Sequence, residues 1–309
     1  MNKATRRLSV GRTSADGQRS RLRRSELFLA SRLGRALIMA VVICTGTAAC
    51  GATSSGAGSA ASSSDDTFNV GFEVGALPMT DYTSDNKSFQ GVNYDLMTAI
   101  AKKLGVKFNY SGASWPSLIP GVQAGRYDLA LSGIYDKKDR EQVVDLVTYM
   151  NDGSVLIVAA ASNLEVKADT LCGHTVGTQT GSAQAALLPT QSAKCEADGK
   201  KPITVKEFDS LPASALAVTS GRIDALSCNA TQCGYLVKTR PSDLKLSGEA
   251  YDPTPIAMAV RKGSGLSEKM QKAVQELIND GEYAKILDQW GQSHAAITNP
   301  QINPLTSSK

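Results

Sequence analysis

From residue 68 to residue 279, short β-like runs alternate with helical ones, and this alternation restricts the body of the chain to an α/β fold. Residues 68–74 (FNVGFEV) alternate apolar and polar side chains, as a strand does. Residues 94–104 (YDLMTAIAKKL) then place Leu96, Met97, Ile100 and Leu104 at helical spacing, with Gly105 where a C-cap glycine belongs. Strand-like runs follow at 107–110, 127–131 and 155–158, with a helix over 117–124 that ends at Gly125. A second series has strands at 175–178, 203–208 and 223–227, and helices at 182–188, 210–219 and 231–239, Ser210 standing as an N-cap. A strand over 255–261 and a helix over 266–279 close the series. Strands separated by helices pair in parallel, so mainly parallel sheets are expected. Roughly 240 ordered residues suit two domains of ordinary size.

The chain ahead of this body has a different character. Residues 1–35 hold ten basic and two acidic residues, which leaves the rest of the chain with 23 basic and 27 acidic ones. A basic head on an acidic body argues against nucleic-acid binding, which places basic surface on the folded domain. Residues 36–49 carry no charge, a run too short to span a membrane, which takes about 20 apolar residues. It fits the apolar region of a secretory signal peptide. The run ends in Thr47-Ala48-Ala49-Cys50. Small residues before a cysteine resemble the lipobox of bacterial lipoproteins, in which the cysteine takes a diacylglycerol and becomes the mature N-terminus. Thr47 departs from the Leu or Val preferred there, and an ordinary signal with an incidental cysteine is the competing reading. Arg6-Arg7 hints at a twin-arginine signal but stands far from the apolar run. Residues 51–67 are rich in Gly, Ser and Ala and read as a flexible tether with a reach of roughly 20–25 Å. The expected order is a signal peptide at 1–49, lipidated Cys50 with its tether at 50–67, and then the body.

Cys44 leaves with such a signal, and four cysteines remain in the body: Cys172, Cys195, Cys228 and Cys233. An even number in an exported chain suggests two disulfides, with three pairings open. Nearness favours Cys172–Cys195 and Cys228–Cys233. The first would close a 23-residue separation and contribute about 3 kcal/mol in the chain-entropy account. A zinc site is disfavoured, since there is no C-x-x-C pair and neither His174 nor His294 stands at ligand spacing from a cysteine.

Ligands of open α/β sheets sit at the carboxyl ends of the strands. That rule singles out Glu73, the run 132–140, the turn 180–182 and Asn229. Taken one at a time, each also fits a solvated edge residue or a surface ion pair.

Together the segments resemble family 3 extracellular solute-binding proteins, the periplasmic-binding-protein-like receptors of polar amino acid ABC importers. Gly91-Val92-Asn93-Tyr94-Asp95-Leu96 resembles the signature G-F-D-x-D-L, and the run from Trp115 to Val122 resembles W-x-x-L-I-P-A-L. The run from Gly125 to Gly133, with Arg140 seven residues on, resembles a third motif, and Val176-Gly177 through Gly181-Ser182 a fourth. Gly221-Arg222-Ile223-Asp224-Ala225 resembles G-R-x-D-A, and 259–263 resembles the returning strand. The resemblance covers about 68–292, in order and with family spacing. It implies a two-lobed periplasmic-binding-protein-like fold of type II, each lobe a mainly parallel sheet flanked by helices, joined by a two-strand hinge. Lobe 1 would be 68–158 plus 253–309, and lobe 2 would be 161–250. The lobes would close on a ligand by hinge motion.

Carried over residue by residue, the resemblance gives Arg140 a bidentate grip on the ligand carboxylate, helped by the Gly133 N–H and by the helix start at Gly181 and Ser182. Trp115 would pack on the ligand side chain, and Glu73 would meet an ammonium group. Three positions depart from the family pattern. Tyr135 stands where a Ser or Thr usually helps with the carboxylate, Asn229 where an acid commonly holds the α-ammonium, and Ala76 where a second aromatic often faces the tryptophan. The implied ligand is an amino acid or a related small zwitterion or carboxylate. The implied partners are an ABC permease with its ATPase, and the membrane through the lipid alone. A monomer is expected, with no cofactor, no metal and no nucleic acid. Two other classes compete: an enzyme on the same scaffold with Glu73 as a lone general base, and a sensor ectodomain that signals through a membrane partner.

Overall fold

The computed structural model describes residues 66–307. The expected signal peptide, the expected lipidation site Cys50 and the expected tether as far as residue 65 lie outside the described residues. The first series runs β1 (Thr67–Glu73), a small hairpin of β2 (Asp81–Tyr82) and β3 (Phe89–Gln90), α1 (Val92–Leu104) and β4 (Lys107–Ala113). It continues through a 3-10 turn (Trp115–Ser117) into α2 (Leu118–Gln123), β5 (Leu129–Leu131), α3 (Lys138–Glu141) and β6 (Asp145–Met150). The second series holds β7 (Ser154–Ala159), β8 (Thr175–Gln179), α4 (Ala183–Ala197), β9 (Thr204–Phe208), α5 (Leu211–Thr219), β10 (Ala225–Asn229), α6 (Ala230–Thr239) and β11 (Leu244–Tyr251). The chain then returns through β12 (Ile256–Val260), α7 (Leu266–Asn279), α8 (Glu282–Gln289) and α9 (Pro304–Ser307). Thr67, the last residue of the stretch read as tether, already belongs to β1.

Two five-stranded sheets organise these elements, in the orders β4-β1-β5-β12-β6 and β11-β7-β10-β8-β9. Four strands of each sheet run one way, because helices carry the chain back between them. One strand runs against its two neighbours: β12 between β5 and β6, and β7 between β10 and β11. Half of the pairings in each sheet are therefore antiparallel, and the sheets are mixed where the sequence leads one to expect mainly parallel ones. The physical reason is the connection. Each reversed strand arrives from the other sheet through a short link, 151–153 or 252–255, instead of through a crossover helix.

Helices cover both faces of each sheet, so successive strand residues feed different cores. In the first sheet, Phe72 and Met258 pack with Leu96, Ile100, Val274 and Leu277 from α1 and α7. On the opposite face Ala130 and Ala257 pack with Leu118 and Val122 of α2. In the second sheet, Ile157 and Leu226 pack against Leu211, Ala215 and Val218 of α5. Leu156, Val158 and Val176 meet Leu188 and Cys195 of α4 on the other face. Ser210 caps α5 as its sequence position suggests, accepting from the Ala213 N–H at 3.3 Å.

Cys172 and Cys195 form a pair with Cα atoms 5.5 Å apart, and Cys228 and Cys233 a pair with Cα atoms 6.2 Å apart, both within disulfide range. Among the described residues no helix is long and apolar enough to cross a membrane.

Candidate functional site

The carboxyl ends of β1 and β5 in one sheet, and of β8 and β10 in the other, face a common cleft, and polar groups meet across it. Glu73 ends β1 and is 4% exposed. One of its carboxyl oxygens accepts from the Ser132 hydroxyl, just past β5. The other accepts from the Gln179 amide of the opposite sheet at 2.7 Å. Burial pushes the Glu73 carboxyl above its usual range, against the pull of the Ser132 and Gln179 bonds.

Arg140, on α3, is 8% exposed. Its Nη1 donates to the Tyr135 carbonyl at 3.0 Å, and its Nη2 donates across the cleft to the Gly181 carbonyl at 3.2 Å. The guanidinium lies 5.5 Å from the ring centroid of Trp115, within cation–π range. No carboxylate among the described residues forms an ion pair with it, and burial draws its pKa below the ordinary arginine value. Gly181 has φ +72°, a left-handed conformation that an L side chain adopts at a cost, and this turns its carbonyl toward Arg140. Ser182 caps α4 by accepting from the Ala185 N–H at 3.1 Å, and its hydroxyl also lies 3.0 Å from that of Thr178.

Asn229, at the end of β10, donates from its amide to the Gly133 carbonyl across the cleft at 2.9 Å. Its own oxygen accepts from Gln184 on α4 at 3.3 Å, and Gln184 also donates to the Ser154 hydroxyl at 2.9 Å. Gly133 has to be glycine for this approach: a Cβ there would stand 2.5 Å from Asn229 Nδ2 and 3.2 Å from Gln232 Oε1. Arg140 and Gly181 border two cavities. One, of about 160 Å³, is lined by Trp115, Leu118, Ile119 and Ile134 and is largely apolar. The other, of about 570 Å³, is lined by Lys137, Asp139, Ser182 and Glu207 and is more polar.

Glu73, Trp115, Gly133, Arg140, Gly181, Ser182 and Asn229 thus all lie on this cleft. Tyr135 does so through its carbonyl alone. Its side chain is 1% exposed and turned into the core of the first sheet, and its hydroxyl donates to the Gly153 carbonyl in the link between the sheets. A Ser or Thr at that position is too short to reach the link, so Tyr135 braces the hinge instead of serving a ligand carboxylate. Trp115 offers its ring to Arg140, not to an open space between two aromatics. The hinge carries a buried acid as well. Asp152 Oδ1 accepts from the Thr231 N–H at the start of α6 at 3.0 Å, and burial pushes its carboxyl up to about 6. The sequence singles out none of Gln179, Gln184 and Gln232. A signal exists for one of them, since Gln232 stands three residues after Asn229 and shares its helical face.

Comparison with known proteins gives a consistent set of similarities. Residues 68–293 match the family model of bacterial extracellular solute-binding proteins, family 3. The arginine-binding protein ArgT of Corynebacterium glutamicum is 28% identical over 228 residues, which covers 74% of this chain and 75% of that protein. ABC transporter arginine-binding protein 1 of Escherichia coli is 25% identical over 227 residues, covering 72% of this chain and 90% of that protein. Among solved structures, an ancestral arginine-binding protein bound to glutamine superimposes with a TM-score of 0.66 at 32% identity, over 73% of this chain and 98% of that one.

Proposed function

The chain belongs to the bacterial extracellular solute-binding proteins of family 3, and from that premise we propose that it is the receptor of an ABC importer. It captures an amino acid or a related small zwitterion or carboxylate by closure of two lobes and delivers it to the permease and ATPase. The lobes follow the two sheets, about 66–150 with 256–307 and about 154–251, because β7 pairs with β10 and β11 and so belongs to the second lobe, not to the first as the bounds 68–158 and 161–250 expected. The observation that carries this reading is Arg140. A guanidinium taken out of water, with carbonyl oxygens as its hydrogen-bond partners, is costly unless an anion joins it. A ligand carboxylate supplies that anion between the lobes, and the start of α4 at Ser182 adds backbone donors. Glu73, across the cleft, supplies the opposite charge for an ammonium group. Gly133 and Gly181 keep the two backbones close, and Trp115 holds the guanidinium plane in place. The reading is of a binding protein and not of an enzyme, in line with the names of its relatives.

The N-terminal residues fit the same role. The signal peptide exports the chain, Cys50 takes a diacylglycerol, and the tether holds a monomeric body at the outer face of the cytoplasmic membrane. In that oxidising setting the pairs Cys172–Cys195 and Cys228–Cys233 are disulfides. The test of the receptor reading is a thermal-shift screen over amino acids, amines, betaines and small carboxylates, repeated on Arg140→Ala. A ligand that binds N alone raises the melting temperature in proportion to the logarithm of its concentration. A carboxylate-bearing ligand that shifts the wild type and loses its effect in Arg140→Ala supports the reading. A panel without any hit, or hits that ignore Arg140, argues against it.

A further inference from the structure

The charges that face the cleft are few, and they balance. Arg140 brings one buried positive charge without a carboxylate partner. Glu73 brings one acid, and both its oxygens accept, from Ser132 and Gln179, bonds that favour its ionised form against the burial that raises its pKa. What else the second sheet and its helices contribute here is buried and neutral: the amides of Gln179, Gln184, Asn229 and Gln232, and the hydroxyls of Thr178 and Ser182. Other acids near the cleft are directed elsewhere or pushed toward the uncharged form. Asp152 accepts from the Thr231 N–H at the hinge. Asp136 is buried with both oxygens unpartnered, and burial and its neighbour Glu141 push its carboxyl up to about 7, toward the uncharged form. Asp252 pairs with Lys137. Asp139 and Glu207, on the rim, are exposed and screened by water.

One amide is unfinished. The Gln232 side-chain nitrogen is buried and makes no hydrogen bond of normal length; it lies near the Glu73 carboxyl, whose pKa it helps to draw down, while its oxygen stands close to the Gly133 backbone on the far side of the cleft. A buried N–H without a partner is destabilising unless an acceptor arrives. The cleft therefore presents a carboxylate receptor, an ammonium receptor and a spare amide donor.

We propose that the ligand is a net-neutral α-amino acid whose side chain carries a carbonyl, as an amide or ureido group does, and that the lobe-2 amides discriminate against cationic side chains. This rests on the receptor reading above and goes further, because it separates this chain from the arginine binding for which its relatives are named. An arginine or lysine brings two cations to a cleft with one acid, and the second is left buried among neutral groups. A glutamine or citrulline brings one cation, one anion and a carbonyl for the unpartnered amide.

Calorimetry on the full chain with glutamine, citrulline, arginine, lysine and glutamate tests this. The expected result is that glutamine or citrulline binds at least about tenfold tighter than arginine and lysine, because an unpaired buried charge typically outweighs that factor. Arginine or lysine binding as tightly or more tightly overturns the proposal and leaves the receptor reading intact. If none of the five binds and the wider panel also fails, both fall together. The second arm is Gln232→Glu, with its fold checked by circular dichroism, and Asn229→Asp serves if that variant does not fold. An acid placed among the amides should raise arginine affinity relative to glutamine by about tenfold or more. An unchanged ratio in the folded variant overturns the role given to the amides.

Discussion

Arg140 shows how one residue can matter for binding while contributing nothing to stability. Its charge is buried, two carbonyls hold it, and Asp139 and Asp136 offset only part of its desolvation, with no ion pair to it among the described residues. Arg140→Ala is therefore expected to melt at the wild-type temperature or above it. The same substitution should weaken binding of a carboxylate ligand by roughly 30-fold to several thousand-fold, the range found when one partner of a desolvated ion pair is removed. Calorimetric affinity and a thermal melt on the same preparation check both halves. A variant that melts well below the wild type while binding normally contradicts the assignment. At this scale, the charged part of the cleft was legible in the sequence. Glu73 ends β1 and Arg140 stands on α3 beyond β5; each alone also fits a surface residue, and it was the resemblance of the surrounding motifs that singled them out. The amides did not stand out. Gln179, Gln184 and Gln232 look like surface glutamines until the second sheet brings them against Glu73, Asn229 and Gly133. Tyr135 was legible as a departure, but its direction was not, because a side chain that reaches the hinge carbonyl has a partner 18 residues away.

Elements repeat the same division. Helices with a clear apolar face, such as α1 and α7, or with a side-chain cap, such as α5 with Ser210, were legible nearly to their ends. Strands β6 and β11 were not. β11 carries a bulge and polar residues along an edge, and β6 draws its burial from β12, which arrives from more than a hundred residues later. The proposed bond between Cys228 and Cys233, five residues apart, would tie the end of β10 to the first turn of α6, and the residues it brackets include Asn229 and Gln232. Replacing both cysteines by alanine should loosen that bracket and lower ligand affinity severalfold, read by calorimetry in the folded variant. Equal affinity would show that α6 holds those amides without the bond. The hinge link gives a pH prediction. Asp152 has its folded pKa raised from 3.8 to about 6 by burial. The folded state then holds its proton more tightly than the unfolded one. The contribution of Asp152 to stability is greatest below pH 4, falls as pH rises toward 6, and is flat above. Asn keeps the acceptor for the Thr231 N–H and cannot ionise. Asp152→Asn should therefore gain relative stability from pH 4 to pH 7, by up to about 3 kcal/mol. Denaturant melts at both values measure the difference, and parallel shifts in wild type and variant would refute it.

The whole molecule is two copies of one arrangement. In the orders β4-β1-β5-β12-β6 and β9-β8-β10-β7-β11, each sheet receives its reversed strand from the other, so the chain crosses twice at the hinge. The alternation of strands and helices made this architecture legible as a class. The reversed strands were not legible, because strand direction depends on where the chain returns and not on its local pattern. Among the described residues three bonds span the cleft, from Gln179 to Glu73, from Asn229 to Gly133 and from Arg140 to Gly181, so binding is expected to depend on both lobes and not on the residues ahead of β1. That independence sets the last prediction. If Cys50 carries the lipid, it serves placement alone, and the tether of roughly 20–25 Å keeps the body within reach of a permease. Cys50→Ser should leave calorimetric affinity unchanged while the protein appears in the soluble exported fraction or is left unprocessed. Uptake of the ligand by cells should fall, because the concentration of receptor beside the permease is lost. A Cys50→Ser protein that is cleaved and still held at the membrane would remove the lipid from this account. A loss of affinity in the same variant would show that the N-terminal segment contacts the cleft.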